Sequence, residues 1–165
     1  MATETQAPGD VELTALSGET RTLEEWLVTF HLVLAVVDPY TNESAWLLAT
    51  MGRVLDTFRE ADCRAAWLVT ARTDDAERFL GPWAKRFLTM VDKDREVVKA
   101  LGLDELPALV HINQDLTILG SAQGWRPAEW QEVSDRLATM MSWSRPTLPA
   151  PGDPGPFKGS PALGA

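Results

Sequence analysis

The residues able to do chemistry in this 165-residue chain are few and scattered. Cys63 is its one cysteine. A lone thiol excludes an internal disulfide, a dithiol redox centre within the chain and every cysteine-rich zinc site. His31 and His111 are the only histidines, and each lies within an apolar run. There a hydrogen-bonded core or edge histidine is the default, and metal ligation would need partners that the sequence does not supply, so no metal or other cofactor is expected. Asp38, Glu43 and Asp104 are the acid–base or metal candidates among the carboxylates. Nothing in their spacing demands catalysis, and solvated loop carboxylates are far commoner. No Gly-rich phosphate loop, G-x-S-x-G elbow or H-E-x-x-H sequence is present.

The elements that must position these residues are legible from periodicity. Val11 to Ala15, a Ser17-Gly18 turn and Glu19 to Thr22 predict a small hairpin. Thr22 followed by Glu25 forms a capping-box pattern that opens a short helix around Trp26. His31 to Val37 is a continuous apolar run, expected as a strand buried on both faces and ended by Asp38-Pro39. A long helix starts near Ser44, with Leu47, Met51, Val54, Leu55 and Phe58 on one stripe.

Ala65 to Ala71 and Phe87 to Val91 predict two further strands. Between them Asp74 caps a short helix that Gly81-Pro82 interrupts; Asp94 caps another over Arg95 to Leu101, stopped by Gly102. Pro107 to Ile112 and Leu116 to Ser121 form a second hairpin, and Pro127 opens a final helix with Trp130, Val133, Leu137 and Met141 inward. The order predicts an α/β fold, a mixed sheet flanked by helices. Trp46, Trp67 and Trp130 are expected in the core. Trp83, Trp125 and Trp143, in or near breaker-rich segments, are expected to hold a tail or partner.

Composition bounds the rest. One domain fits this length. A net charge of −9 argues against a broad cationic nucleic-acid surface. The polar N-terminus shows no signal-peptide pattern, and the longest apolar run, Leu32 to Val37, falls far short of the roughly 20 residues that span a bilayer. The expectation is a cytoplasmic protein without membrane insertion. Three zones are predicted: a flexible leader over 1–10, a domain over 11–142, and an extended tail over 143–165. That tail holds six of the 11 prolines and four of the 11 glycines.

The segments LVLAVVDPYTNESAWLL, DKDREVVKALGLDELPALVHINQD and GSAQGW resemble the thioredoxin-like superfamily, closest to its redoxin and thiol–disulfide oxidoreductase branch. The resemblance implies a cis bond before Pro107. It also places Tyr40 at the family's aromatic position, so that T-x-x-S, Thr41 and Ser44, replaces C-x-x-C. A hydroxyl has no thiolate chemistry, which excludes thiol–disulfide exchange by this motif. Thr41 and Ser44 are then either the helix cap or hydroxyls orienting an anion or peptide carbonyl at the helix N-terminus.

The same resemblance implies a groove of Tyr40, Thr41, Ser44, Leu106, Pro107 and Trp125, suited to capturing a peptide strand. The plain alternative is that Trp125 packs on the final helix through Trp130. The resulting expectation is a redox-inactive binding, adaptor or chaperone-like module with a protein or peptide partner, as a subunit of a larger assembly in one version. The competing class is an enzyme of altered chemistry, a Cys63-dependent peroxidase or a thiol-independent transferase. Trp143, Leu148 and Phe157 are expected as tail anchors, along with Leu163, on a partner in preference to the parent domain.

Overall fold

The computed structural model describes residues 5–164. In chain order its elements are β1 (Thr5–Gln6), β2 (Glu12–Ala15), β3 (Thr20–Thr22), α1 (Leu23–Trp26), β4 (His31–Val37), α2 (Asn42–Thr57) and β5 (Cys63–Val69). There follow α3 (Thr73–Leu80), α4 (Trp83–Arg86), β6 (Leu88–Val91), α5 (Glu96–Ala100), β7 (Glu105–Leu106), β8 (Ala108–Ile112), β9 (Thr117–Gln123), α6 (Pro127–Met141) and β10 (Ser160–Pro161). One mixed sheet runs β1-β9-β8-β4-β5-β6-β2-β3, and β7 pairs separately with β10.

β4, β5 and β6 are parallel, and β8 returns antiparallel along β4. The central strand explains the two-layered core. Val33, Ala35 and Val37 face α2, α6 and the aromatic cluster of Trp67, Trp125 and Trp130. Leu32, Leu34 and Val36 face the other way, towards α1 and α5. All six are fully buried, as an apolar run must be when helices cover both faces of a parallel sheet. On α2 the stripe Leu47, Met51, Val54 and Leu55 is buried, with Phe58 beneath its end. Gly52 lets this helix approach α4, since a Cβ there would lie 2.5 Å from the Trp83 ring.

Several local features differ from expectation. Residues 1–4 of the expected leader lie outside the described residues, but Thr5–Gln6 pairs with β9 and Ala7 is buried. Backbone bonding at the sheet edge thus claims a stretch that is polar in sequence. Arg72, not Asp74, stands at the N-cap of α3. α5 starts at Glu96 rather than Arg95, and its cap is not Asp94: the Asp92 carboxylate accepts from Val97 N and Val98 N at 3.2 and 3.0 Å. Burial raises the Asp92 pKa against those bonds. Trp46 is 57% exposed rather than in the core, because it sits one residue off the buried stripe of α2. Trp83 stacks on Phe87 with centroids 6.0 Å apart and packs over Gly52 of α2 rather than on the tail.

Candidate functional site

The C-terminal ends of β4 and β5 form the sheet edge where ligands collect in open α/β folds. Here β4 runs out at Val37, and Asp38-Pro39-Tyr40-Thr41 leads into α2. Thr41 is the N-cap residue, but its side chain makes no cap bond to the helix. Thr41 Oγ1 instead donates to Asp38 O at 2.8 Å, and Ser44 Oγ, fully buried, accepts from Asp38 N at 2.9 Å. Both hydroxyls are spent on closing the turn. Thr41 is thus the cap residue by position but without the capping bond, because the chain bends back far enough to put its own Asp38 backbone within reach. The Asp38 carboxylate accepts from Tyr40 N and pairs with Arg95 at 2.7 Å. Tyr40 is exposed; its hydroxyl donates to Asp75 at 2.6 Å, and that bond raises its pKa.

Beside this turn lies the proline edge. The Leu106–Pro107 bond is cis. Gly124, at φ +66°, donates its N–H to Pro107 O at 2.9 Å, so the turn after β9 folds against the proline. Trp125 follows, fully buried, edge-on to Trp130 with centroids 5.6 Å apart. Trp130 Nε1 donates to Gly124 O at 2.7 Å. The packing of Trp125 on the final helix is therefore real.

So is its grip on the C-terminal segment. Trp125 and Phe157 exchange both backbone hydrogen bonds, at 2.8 and 3.0 Å, and Trp125 Nε1 donates to Pro154 O at 2.8 Å. Ser160 and Pro161 pair antiparallel with Leu106 and Glu105. Ala162 N donates to Asp104 O, and Arg95, already bound to Asp38, also donates to Ala162 O. The expectation that the tail anchors on a partner is corrected: the segment lies on its own chain, across the edge expected to be an open groove. Main-chain pairing supplies the reason, since β7 offers an unpaired edge that the tail can reach.

Upstream the segment is clamped by charge. The Asp153 carboxylate takes two bonds from Arg53, at 2.7 and 2.8 Å, one from Thr50 Oγ1 and one from Ala150 N. The Arg53 bonds chiefly hold its pKa down at about 2. Leu148 is buried in the core, and Gln131 bonds Leu148 N and Pro146 O. Trp143 stays 39% exposed with Nε1 on Thr57 O, and Leu163 is exposed. Sequence reasoning missed Arg53, Asp153, Arg95 and Glu105, because ion pairs between distant segments leave no local pattern. Asp153, flanked by glycine and proline, looked like any loop carboxylate.

Cys63 sits at the opposite end of β5, paired in register with His31. Seven residues of strand separate the two edges, roughly 20 Å. Burial, with Asp62 beside it, pushes the thiol up to about 12. Three units above its ordinary value of 9.0 lower the thiolate fraction about a thousandfold. Labelling by a chromogenic disulfide reagent at pH 8 is expected to be on the order of a thousandfold slower than for a free thiol. It should accelerate only in denaturant; rapid labelling in native buffer would contradict this burial. Among the described residues no group of three His, Cys, Asp or Glu side chains is placed to hold a metal ion. No helix among them is long and apolar enough to cross a membrane.

The same architecture recurs in solved structures. A hypothetical protein from Sinorhizobium meliloti superimposes with a TM-score of 0.71 at 13% identity, over 100% of this chain and 96% of its own. The thioredoxin domain of a thiol-disulfide oxidoreductase from Bacteroides vulgatus gives 0.64 at 11%, over 83% and 98%. The fold is thioredoxin-like. A secreted Mycobacterium tuberculosis disulfide oxidoreductase, described as homologous to E. coli DsbE, gives 0.60 at 19%, over 79% and 96%. No family model and no curated protein matches the sequence.

Within this thioredoxin-like frame the single cysteine rules out C-x-x-C thiol–disulfide exchange. The expectation of a cytoplasmic protein is overturned, because the proteins that share the fold include thiol–disulfide oxidoreductases, one of them secreted. That expectation rested on a polar N-terminal stretch, a property that assigns no compartment.

Proposed function

We propose that the chain is a redox-inactive thioredoxin-like binding module, adaptor or chaperone-like in role, which works through the edge around Tyr40, Thr41, Ser44, Leu106, Pro107 and Trp125. In this reading Thr41 and Ser44 occupy the two thiol positions of the fold's redox motif, and the helix N-terminus keeps its place without its chemistry. One observation carries the reading: the edge holds an extended segment in antiparallel register, Ser160 opposite Leu106. A strand-capturing edge without a thiol is a recognition surface. Trp46, exposed against Phe157 of the seated segment, and Tyr40, exposed in the turn that opens the same helix, extend that surface towards a protein partner. Subunit status in a larger assembly fits the same geometry. The tail anchors belong to it as well, with Leu148 and Phe157 against the domain and Trp143 at the segment's root.

The test has two arms. The purified protein is expected to show no dithiothreitol-dependent insulin reduction and no peroxide turnover, and Cys63→Ser is expected to change neither. A protein partner recovered with the wild-type chain is expected to be lost with Tyr40→Ala, whose substitution at an exposed site leaves the fold intact. Peroxide turnover that vanishes in Cys63→Ser would overturn the reading in favour of a Cys63-dependent enzyme.

A further inference from the structure

We infer that β7 and the Gly124–Trp125 turn form a recognition groove for an extended peptide of the pattern aromatic-x-Gly-Ser-x-small, with residues 157–162 as its resident occupant. The inference rests on the reading of the chain as a binding module and names that module's ligand class.

The occupant is held by two kinds of contact. Main-chain bonds run its whole length: Phe157 with Trp125, Gly159 N to the Glu105 carboxylate at 2.8 Å, Ser160 with Leu106, and Ala162 N to Asp104 O. These bonds would serve any extended chain. The side-chain seats are selective. Phe157 meets Trp46 edge-on, with centroids 5.4 Å apart. At Gly159 a Cβ would lie 2.7 Å from Leu106 O, 2.9 Å from Glu105 Cβ and 3.1 Å from Gly124 Cα, so only hydrogen fits. Ser160 Oγ donates to Leu106 O at 3.2 Å, and Ala162 is buried among apolar side chains. Lys158 and Pro161 point to solvent and carry no selectivity.

The clamp on Asp153 is separate from these seats, and Gly155 lies between them. Residues 157–162 can therefore leave the groove while the segment stays tied to Arg53. A tethered occupant competes at an effective concentration in the millimolar range, so a free peptide binds only when the resident is displaced.

The experiment uses full-length chains and a fluorescent peptide of sequence GPFKGSPALG, read by anisotropy. On the wild type the peptide is expected to bind weakly. On Gly159→Val, and independently on Ala162→Arg, binding is expected to tighten by about tenfold or more as the resident is expelled. Rapid tryptic cleavage after Lys158 and an unchanged far-ultraviolet circular dichroism spectrum report that the variants are open and folded. A peptide with Val at its own glycine is expected to bind neither. Folded, open variants that bind no better than the wild type would overturn the inference, as would binding indifferent to the peptide's glycine.

Hydrogen exchange on the wild type needs no variant. The amides of Phe157, Gly159 and Ala162 are expected to exchange well before that of Val110 in the core. Equal protection would make the segment a fixed wall and also overturn the inference. The insulin, peroxide and Tyr40→Ala assays do not involve the peptide, so the groove's ligand and the binding-module reading fail separately.

Discussion

Trp125→Ala is expected to lower the unfolding free energy by about 3–5 kcal/mol, the usual range for emptying a fully buried tryptophan site. Trp125 is 0% exposed, and its indole is shared between two packing partners. It lies edge-on to Trp130, which itself bonds Gly124 O, and its Nε1 anchors Pro154 O. Truncation thus removes a core side chain and the tail's central fastening together. Urea unfolding measures the first effect, and tryptic cleavage after Lys158 in native buffer measures the second. Trp143→Ala provides the contrast. Its ring is 39% exposed, and the change removes one bond to Thr57 O, worth about 1 kcal/mol. Equal losses from the two substitutions would mean that the segment is not fastened through Trp125.

Acidification between pH 6.5 and 4 is expected to cost about 3 kcal/mol of stability through His111 alone. His111 is fully buried on β8, and its Nε2 lies 3.0 Å from His31 Nδ1 on β4. The two rings share one proton across that contact, and the other nitrogen of His111, Nδ1, is buried with no hydrogen-bond partner among the described residues. Burial, then the charge of His31, then Arg136 lower the His111 pKa from 6.5 to about 4. Burial lowers that of His31 too, with the Asp115 carboxylate opposing it.

The folded state therefore binds fewer protons than the unfolded chain. The stabilisation is complete above pH 6.5 and is lost as the pH falls towards 4. Asp153, held at about 2, adds a separate loss below pH 3.8. Denaturant midpoints measured from pH 7.5 to 3.5 give the slope, and His111→Leu is expected to flatten it between 6.5 and 4. A flat wild-type profile in that window would show that the pair is hydrated in solution.

The elements were readable because local physics writes them into neighbouring residues. The run from Leu32 to Val37 could only be a strand covered on both sides, and the Leu47–Leu55 stripe could only be one face of a helix. The Thr22–Glu25 capping box forms with both of its reciprocal bonds. Pro127 opens the last helix, and Gly102 takes the left-handed conformation that stops α5. Each of these depends on residues a few positions apart, so a linear pattern suffices.

The site was readable only in outline. The lone cysteine settles, from composition, that the chain holds no C-x-x-C dithiol of its own, and proline and glycine mark the last residues as unable to build a core. Tertiary structure decided what those residues do. Ion pairs such as Arg53–Asp153 and Arg95–Asp38 join segments about 100 and 57 positions apart. No spacing rule encodes such pairs, because their partners meet only after the sheet has formed. The fate of the tail is likewise a property of the edge it meets: β7 presents unpaired backbone groups beside Pro107, and a chain long enough to return there pairs with them. Sequence set the chemistry this protein lacks and the layers it builds; the geometry of one open strand edge decided that its own C-terminal segment fills the groove.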